Sequence, residues 1–140
     1  MKKELTKELA MCMTNMLFGV SQIHYSHWLA TKNHHHDILG ELYTELQEEL
    51  DELVEQYLGF FSQEMKVSEL LDVATITKQP YMYKNLSTEK ELLTFLDELT
   101  MRAQKGFDSV DKMPELKFMQ DTLSNILAII QSAKYQIKQQ

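Results

Sequence analysis

The chain has 140 residues, of which 44% are hydrophobic and 25% charged, and its formal net charge is −7. That length fits one globular domain over residues 1–140 with enough chain to bury a core. Four glycines and two prolines supply too few turns for a many-stranded β fold. A single cysteine, Cys12, excludes a disulfide framework and points to a reducing, cytoplasmic setting. The acidic balance argues against broad nonspecific binding to DNA or to an anionic membrane. Met1-Lys2-Lys3 opens like a signal peptide, but Glu4, Lys7 and Glu8 interrupt the apolar stretch that should follow. No run approaches the roughly 18 apolar residues of a membrane span.

Apolar spacing predicts four long helices. The first runs from about Lys3 to about Ala30 on the stripe Leu5, Leu9, Cys12, Met16, Val20, Ile23, with His27 continuing it. The second runs from about Asn33 to about Phe61 on Leu39, Leu42, Leu46, Leu50, Leu53, Tyr57, Phe60. Residues 66–86 break the pattern. Val67 to Leu71 reads as a short helix, and Gln79-Pro80 forces an extended step. The third helix starts near Ser87 with Thr88-x-x-Glu91 as a capping box and reaches about Gly106. The fourth starts near Pro114 and carries Leu116, Met119, Leu123, Ile126, Leu127, Ile130 and Ala133. The expected architecture is all-α: an antiparallel four-helix bundle. The segment of about 20 residues between the second and third helices is long enough to cross the bundle end to end, which is the ferritin-like variant.

All five histidines, His24, His27, His34, His35 and His36, fall within one short stretch. The plain reading puts one imidazole in the core with a hydrogen-bond partner and leaves the others solvated at a helix turn. The second helix adds Glu41, Glu45, Glu48, Glu49, Asp51, Glu52 and Glu55, with no lysine or arginine between them. Solvated helices ordinarily interleave cations at i+4, because like charges at that spacing repel. A cation or a basic partner is one way to supply the missing positive charge. Histidine with carboxylate, and without thiolates, suits iron, manganese or zinc. The Glu-x-x-His pairs of a di-iron site inside one bundle are absent.

His27-Trp28, then His36, then Asp51-x-x-x-Glu55 resembles the Dps-like miniferritins, and the stretch from His36 to Glu55 aligns with them without gaps. The resemblance implies iron held between subunits, with manganese or zinc as alternatives. It implies His27 and His36 as imidazole ligands, with His24 nearby, Asp51 and Glu55 as carboxylate ligands, and Trp28 as an adjacent shield or electron donor. It implies oxidation of Fe(II) by peroxide or oxygen, and mineral storage in an oligomeric shell, a dodecamer in that family. This chain departs from the pattern in three places. The turn is three residues shorter, Gly40 stands where an acid is expected, and the lysine arm that binds DNA in some members is reduced to Lys2, Lys3 and Lys7.

Helix geometry adds a constraint of its own. His36 and Asp51 are fifteen residues apart on one helix, about 22 Å at 1.5 Å per residue, so they cannot bind one ion from the same chain. Two copies of the second helix packed antiparallel about a two-fold near Tyr43–Thr44 would bring the histidine end of one to the carboxylate end of the other. Gly40 is then expected to permit their close approach.

Two other functions compete. One is a ferritin-like structural or partner-binding oligomer, of a kind a phage or mobile element encodes, that has lost metal chemistry. The other resembles MazG-type nucleotide pyrophosphohydrolases, through Glu45-x-x-Glu48 and Glu49-x-x-Glu52, but lacks their second acidic pair. Met11, Met13 and Met16 are read as core filler and Cys12 as buried and inert. Tyr81 and Tyr83 are read as packing the crossover onto the bundle.

Overall fold

The structure, a computed structural model, describes residues 2–61 and 83–139. Four long helices account for most of them: α1 (Lys2–Leu29), α2 (Asn33–Phe61), α3 (Glu89–Val110) and α4 (Lys117–Lys138). A 3₁₀ turn, Pro114–Leu116, leads into α4. No strand occurs among the described residues. Val67 to Leu71, Gln79-Pro80 and Tyr81 lie outside them.

Each helix packs against two neighbours: α1 against α2 and α3, and α4 against α2 and α3. Three contacts fix the directions. His34, at the start of α2, meets Gln136, near the end of α4. Gln56, near the end of α2, meets Thr122, near the start of α4. Gln22, on the last turns of α1, meets Lys84, just ahead of α3. All neighbouring helices are therefore antiparallel, and α2 and α3 begin at the same end of the bundle. The chain that leaves α2 at Phe61 must return to the opposite end, about 43 Å away for a helix of 29 residues, before α3 begins.

The stripes bury as expected, with Leu9, Met16, Leu46, Leu53, Leu123, Ile126 and Ile130 fully enclosed. Each such side chain contributes about 1.5–3 kcal/mol relative to exposure. Three details differ from the sequence reading. His27 is only half-buried, because the stripe of α1 turns from Ile23 to the buried Ser26 instead. At the end of α2, Phe61 is fully enclosed while Phe60 is 41% exposed. Finally, α3 runs through Gly106 to Val110. That glycine marks a close approach of α1 and α3, since a Cβ there would lie 2.8 Å from Cys12 Sγ.

The N-cap forms at the predicted residues, with Thr88 and Glu91 joined through their side chains. The Glu91 backbone N–H donates to Thr88 Oγ1 at 3.1 Å, and the hydroxyl donates to Glu91 Oε1 at 2.9 Å. Cys12 is buried, and burial pushes its thiol up to about 12, so it remains protonated and unreactive at neutral pH. Tyr83 stacks between Phe18 and Tyr25 of α1, at 5.6 and 5.2 Å between ring centres, which is the packing role expected of it.

Thr88→Ala should lower the unfolding free energy by about 1 kcal/mol through the lost cap. Leu53→Ala should lower it by about 2–5 kcal/mol through the cavity it leaves. Both are read from urea midpoints at unchanged slope; equal losses for the two would contradict this packing.

Candidate metal centre

The histidine-rich end is built by the turn between α1 and α2. His27 projects from the last turn of α1 and His36 from the first turns of α2. Each ring bonds the other residue's backbone. His27 Nδ1 lies 2.7 Å from the His36 carbonyl oxygen, and His36 Nδ1 lies 2.9 Å from the His27 carbonyl oxygen. A carbonyl only accepts, so both Nδ1 atoms carry hydrogen. In the neutral imidazole this leaves Nε2 of both rings with its lone pair. The rings stack with centres 3.9 Å apart. A backbone carbonyl holding the far nitrogen is how proteins fix the tautomer of a metal-ligating histidine.

Gly40 makes room for this pair. A Cβ at position 40 would lie 2.9 Å from His27 Cε1 and 3.2 Å from its Nδ1. The role of Gly40 seen here is thus to seat an imidazole of the same chain. His24, one turn earlier on α1, stacks on Tyr43 at 4.0 Å and touches Trp28 at 4.2 Å, with His27 at 6.3 Å. Trp28 is 65% exposed.

The remaining two histidines have different work. His34 Nε2 donates to the Gln136 carbonyl at 2.7 Å. The buried His35 ring lies against the same turn, where the Ile137 backbone raises its proton affinity. Both therefore meet the last turn of α4, whose carbonyls have no partner within the helix. His35 Nε2 has no hydrogen-bond partner. Burial is the main reason its proton affinity is lowered; Lys32 and His34 lower it further, while Glu89 and the Ile137 backbone act in the opposite direction.

Asp51 and Glu55 are exposed further along α2, and no group of three or more histidine, cysteine or carboxylate side chains among the described residues could hold a metal ion. The structure brings His27 and His36 together, keeps His24 close, and leaves both carboxylates apart from them. Asp51 nonetheless lies within about 60° of His36 around the helix axis. It also lines a groove between α1 and α2 that His24 shares. Sequence reasoning missed Tyr43 as a stacking partner, the capping roles of His34 and His35, and the clamp of Gln22. That side-chain amide both donates to the Lys84 carbonyl at 2.8 Å and accepts from the Lys84 N–H at 2.9 Å. Its signal was a polar residue next to Ile23 on a buried stripe.

Two outcomes follow from this geometry. Gly40→Ala should displace the His27 ring and move the ring ¹⁵N shifts of both His27 and His36 away from the Nδ1–H tautomer pattern; unchanged shifts would refute the steric role of Gly40. The lowered proton affinity of His35 also has a sign. The unfolded chain takes up this proton first as pH falls through 6.5, so stability is lost below that pH and unaffected above it. His35→Leu should flatten the decline of urea midpoints between neutral and mildly acidic pH, and an unchanged decline would exclude His35 as its source.

In comparisons with protein-family models, with curated proteins and with solved structures, the chain matches none.

Proposed function

We propose that this chain is a ferritin-like, Dps-type subunit that binds and oxidises Fe(II) at sites shared between two copies, and that stores the iron in an oligomeric shell. The observation that carries the reading is the reciprocal bonding of His27 and His36, which leaves an unprotonated Nε2 on each of two stacked rings. Two imidazoles alone hold iron weakly; Asp37, Glu41 and Glu45 line the same recess as His27 and His36, but no three such side chains among the described residues converge closely enough to hold an ion. Asp51 and Glu55 of a second copy, packed antiparallel along α2, supply hard oxygen donors suited to iron, manganese or zinc. The outer face of α1 and α2 favours such pairing. Its groove is lined by Met13, Leu17, Val20, Leu50 and Val54, and Leu17 is 58% exposed. The antiparallel neighbours, with α2 and α3 starting at one end, also agree with a ferritin-like path. In the reaction, iron is the substrate: peroxide accepts two electrons, one from each of two Fe(II), and the ferric product hydrolyses to mineral. Trp28, against His24, stands where it shields the site or donates an electron.

A second reading is a ferritin-like oligomer without metal chemistry. It is favoured by the structural work that His24, His34 and His35 already do.

Aerobic Fe(II) should generate the near-ultraviolet absorbance of ferric-oxo species in the presence of the protein, faster than in buffer. His27→Ala or Asp51→Ala should slow this at least about tenfold. Refolding the two variants together should restore about a quarter of the wild-type rate, because half of the dimers are mixed and each mixed dimer keeps one intact site of two. Absence of complementation would rule out a shared site. A monomer by light scattering would do the same, and an intact oligomer inert to iron would select the second reading.

A further inference from the structure

A cavity of about 390 Å³ opens at the histidine-rich end, between the α1–α2 turn and the start of α3. It is separate from the outer α1/α2 face, although His35 is the neighbour of His36 in sequence. Its walls are of two kinds. Leu29, Leu39, Leu86 and Leu92 give an apolar body, and Ser26, Ser87 and Thr88 contribute hydroxyls. One wall is His35, only 7% exposed, whose Nε2 has no partner. The Ile137 backbone raises the proton affinity of the ring, as a carbonyl facing the other nitrogen does. In the tautomer protonated on that side Nε2 is a lone-pair acceptor, and a buried acceptor left unmet costs about 1–3 kcal/mol. Ser26 is the complement. Its Oγ accepts from Gln22 Nε2 at 3.0 Å, so its own hydroxyl proton is available to donate.

We propose that this cavity binds a small neutral hydroxylated molecule of the phenol class, with its hydroxyl donating to His35 Nε2 and its ring resting on the leucines. A hydroxyl offers one donor and acceptor lone pairs, which suits one vacant lone pair and one vacant proton. An anion would meet the lone pair of Nε2 with its own. A cation would face Lys32, and the one carboxylate lining the cavity, Glu89, balances that lysine. Size is no obstacle, since an apolar cavity of about 150 Å³ already holds benzene.

The test uses the full-length wild-type chain with phenol, and anisole as the ligand of like shape that cannot donate. Phenol should shift the ¹⁵N resonance of His35 Nε2 saturably, and anisole should bind about tenfold more weakly, as expected for one lost hydrogen bond at a buried acceptor. His35→Leu should abolish the preference for phenol. Should that variant fail to fold, the comparison of the two ligands on the wild type decides alone. Equal affinity for anisole, shifts confined to His27 and His36, or no saturable shift with phenol would each overturn the proposal.

Discussion

Two imidazoles that exchange hydrogen bonds across the α1–α2 turn govern this end of the molecule. His27 and His36 each satisfy a backbone carbonyl of the other's helix. The His27 carbonyl lies in the last turn of α1, where carbonyls have no partner within the helix, while the His36 carbonyl, in the first turn of α2, takes the His27 ring as an additional donor. The pair thereby sets how closely α1 and α2 approach, and the missing side chain at Gly40 is the space that approach requires. It also sets chemistry. Because both Nδ1–H groups are used, both Nε2 lone pairs are left over, and a structural staple becomes a candidate ligand pair.

The neighbouring histidines extend the same logic to α4. His34 and His35 leave the first turn of α2 to meet Gln136 and Ile137, so one short stretch of sequence ties together three helix ends. Gln22 adds the fourth by holding the backbone ahead of α3. The cavity beside His35 opens among these ties, with one polar atom left unmet beside it.

Electrostatics along α2 point outward. The repulsive pairs Glu41–Glu45, Glu45–Glu49, Glu48–Glu52 and Asp51–Glu55 cost about 0.2–0.5 kcal/mol each on an isolated helix, about 1–2 kcal/mol together. No ion pair among the described residues offsets them; those present join Lys117 to Asp121 and Lys134 to Asp97. A helix held by a deeply buried stripe tolerates that penalty easily. A charge pattern so uniform does not stabilise a free surface, and in the proposed pairing Asp51 and Glu55 are the part of it that meets a neighbour's imidazoles.

Periodicity alone determined the number of helices, their limits to within a few residues, the core stripes and the N-cap at Thr88. These depend on local spacing, and an apolar residue every three or four positions buries the same face whatever it packs against. The sequence also marked the histidine cluster and the acidic helix as unusual. It could not say that His27 leaves the core while Ser26 enters it, nor that Phe61 and not Phe60 is enclosed, because adjacent residues differ by only about 100° around a helix and the neighbouring helix chooses between them. Gly106 is blank in sequence, and Gly40 was read there as room for a second copy's helix; the packed neighbours, Cys12 and His27, give the two glycines the roles seen in the fold. The tautomers of the imidazoles, the caps on α4 and the empty acceptor of His35 were likewise decided by tertiary structure, since each depends on which backbone carbonyl a distant helix brings within reach.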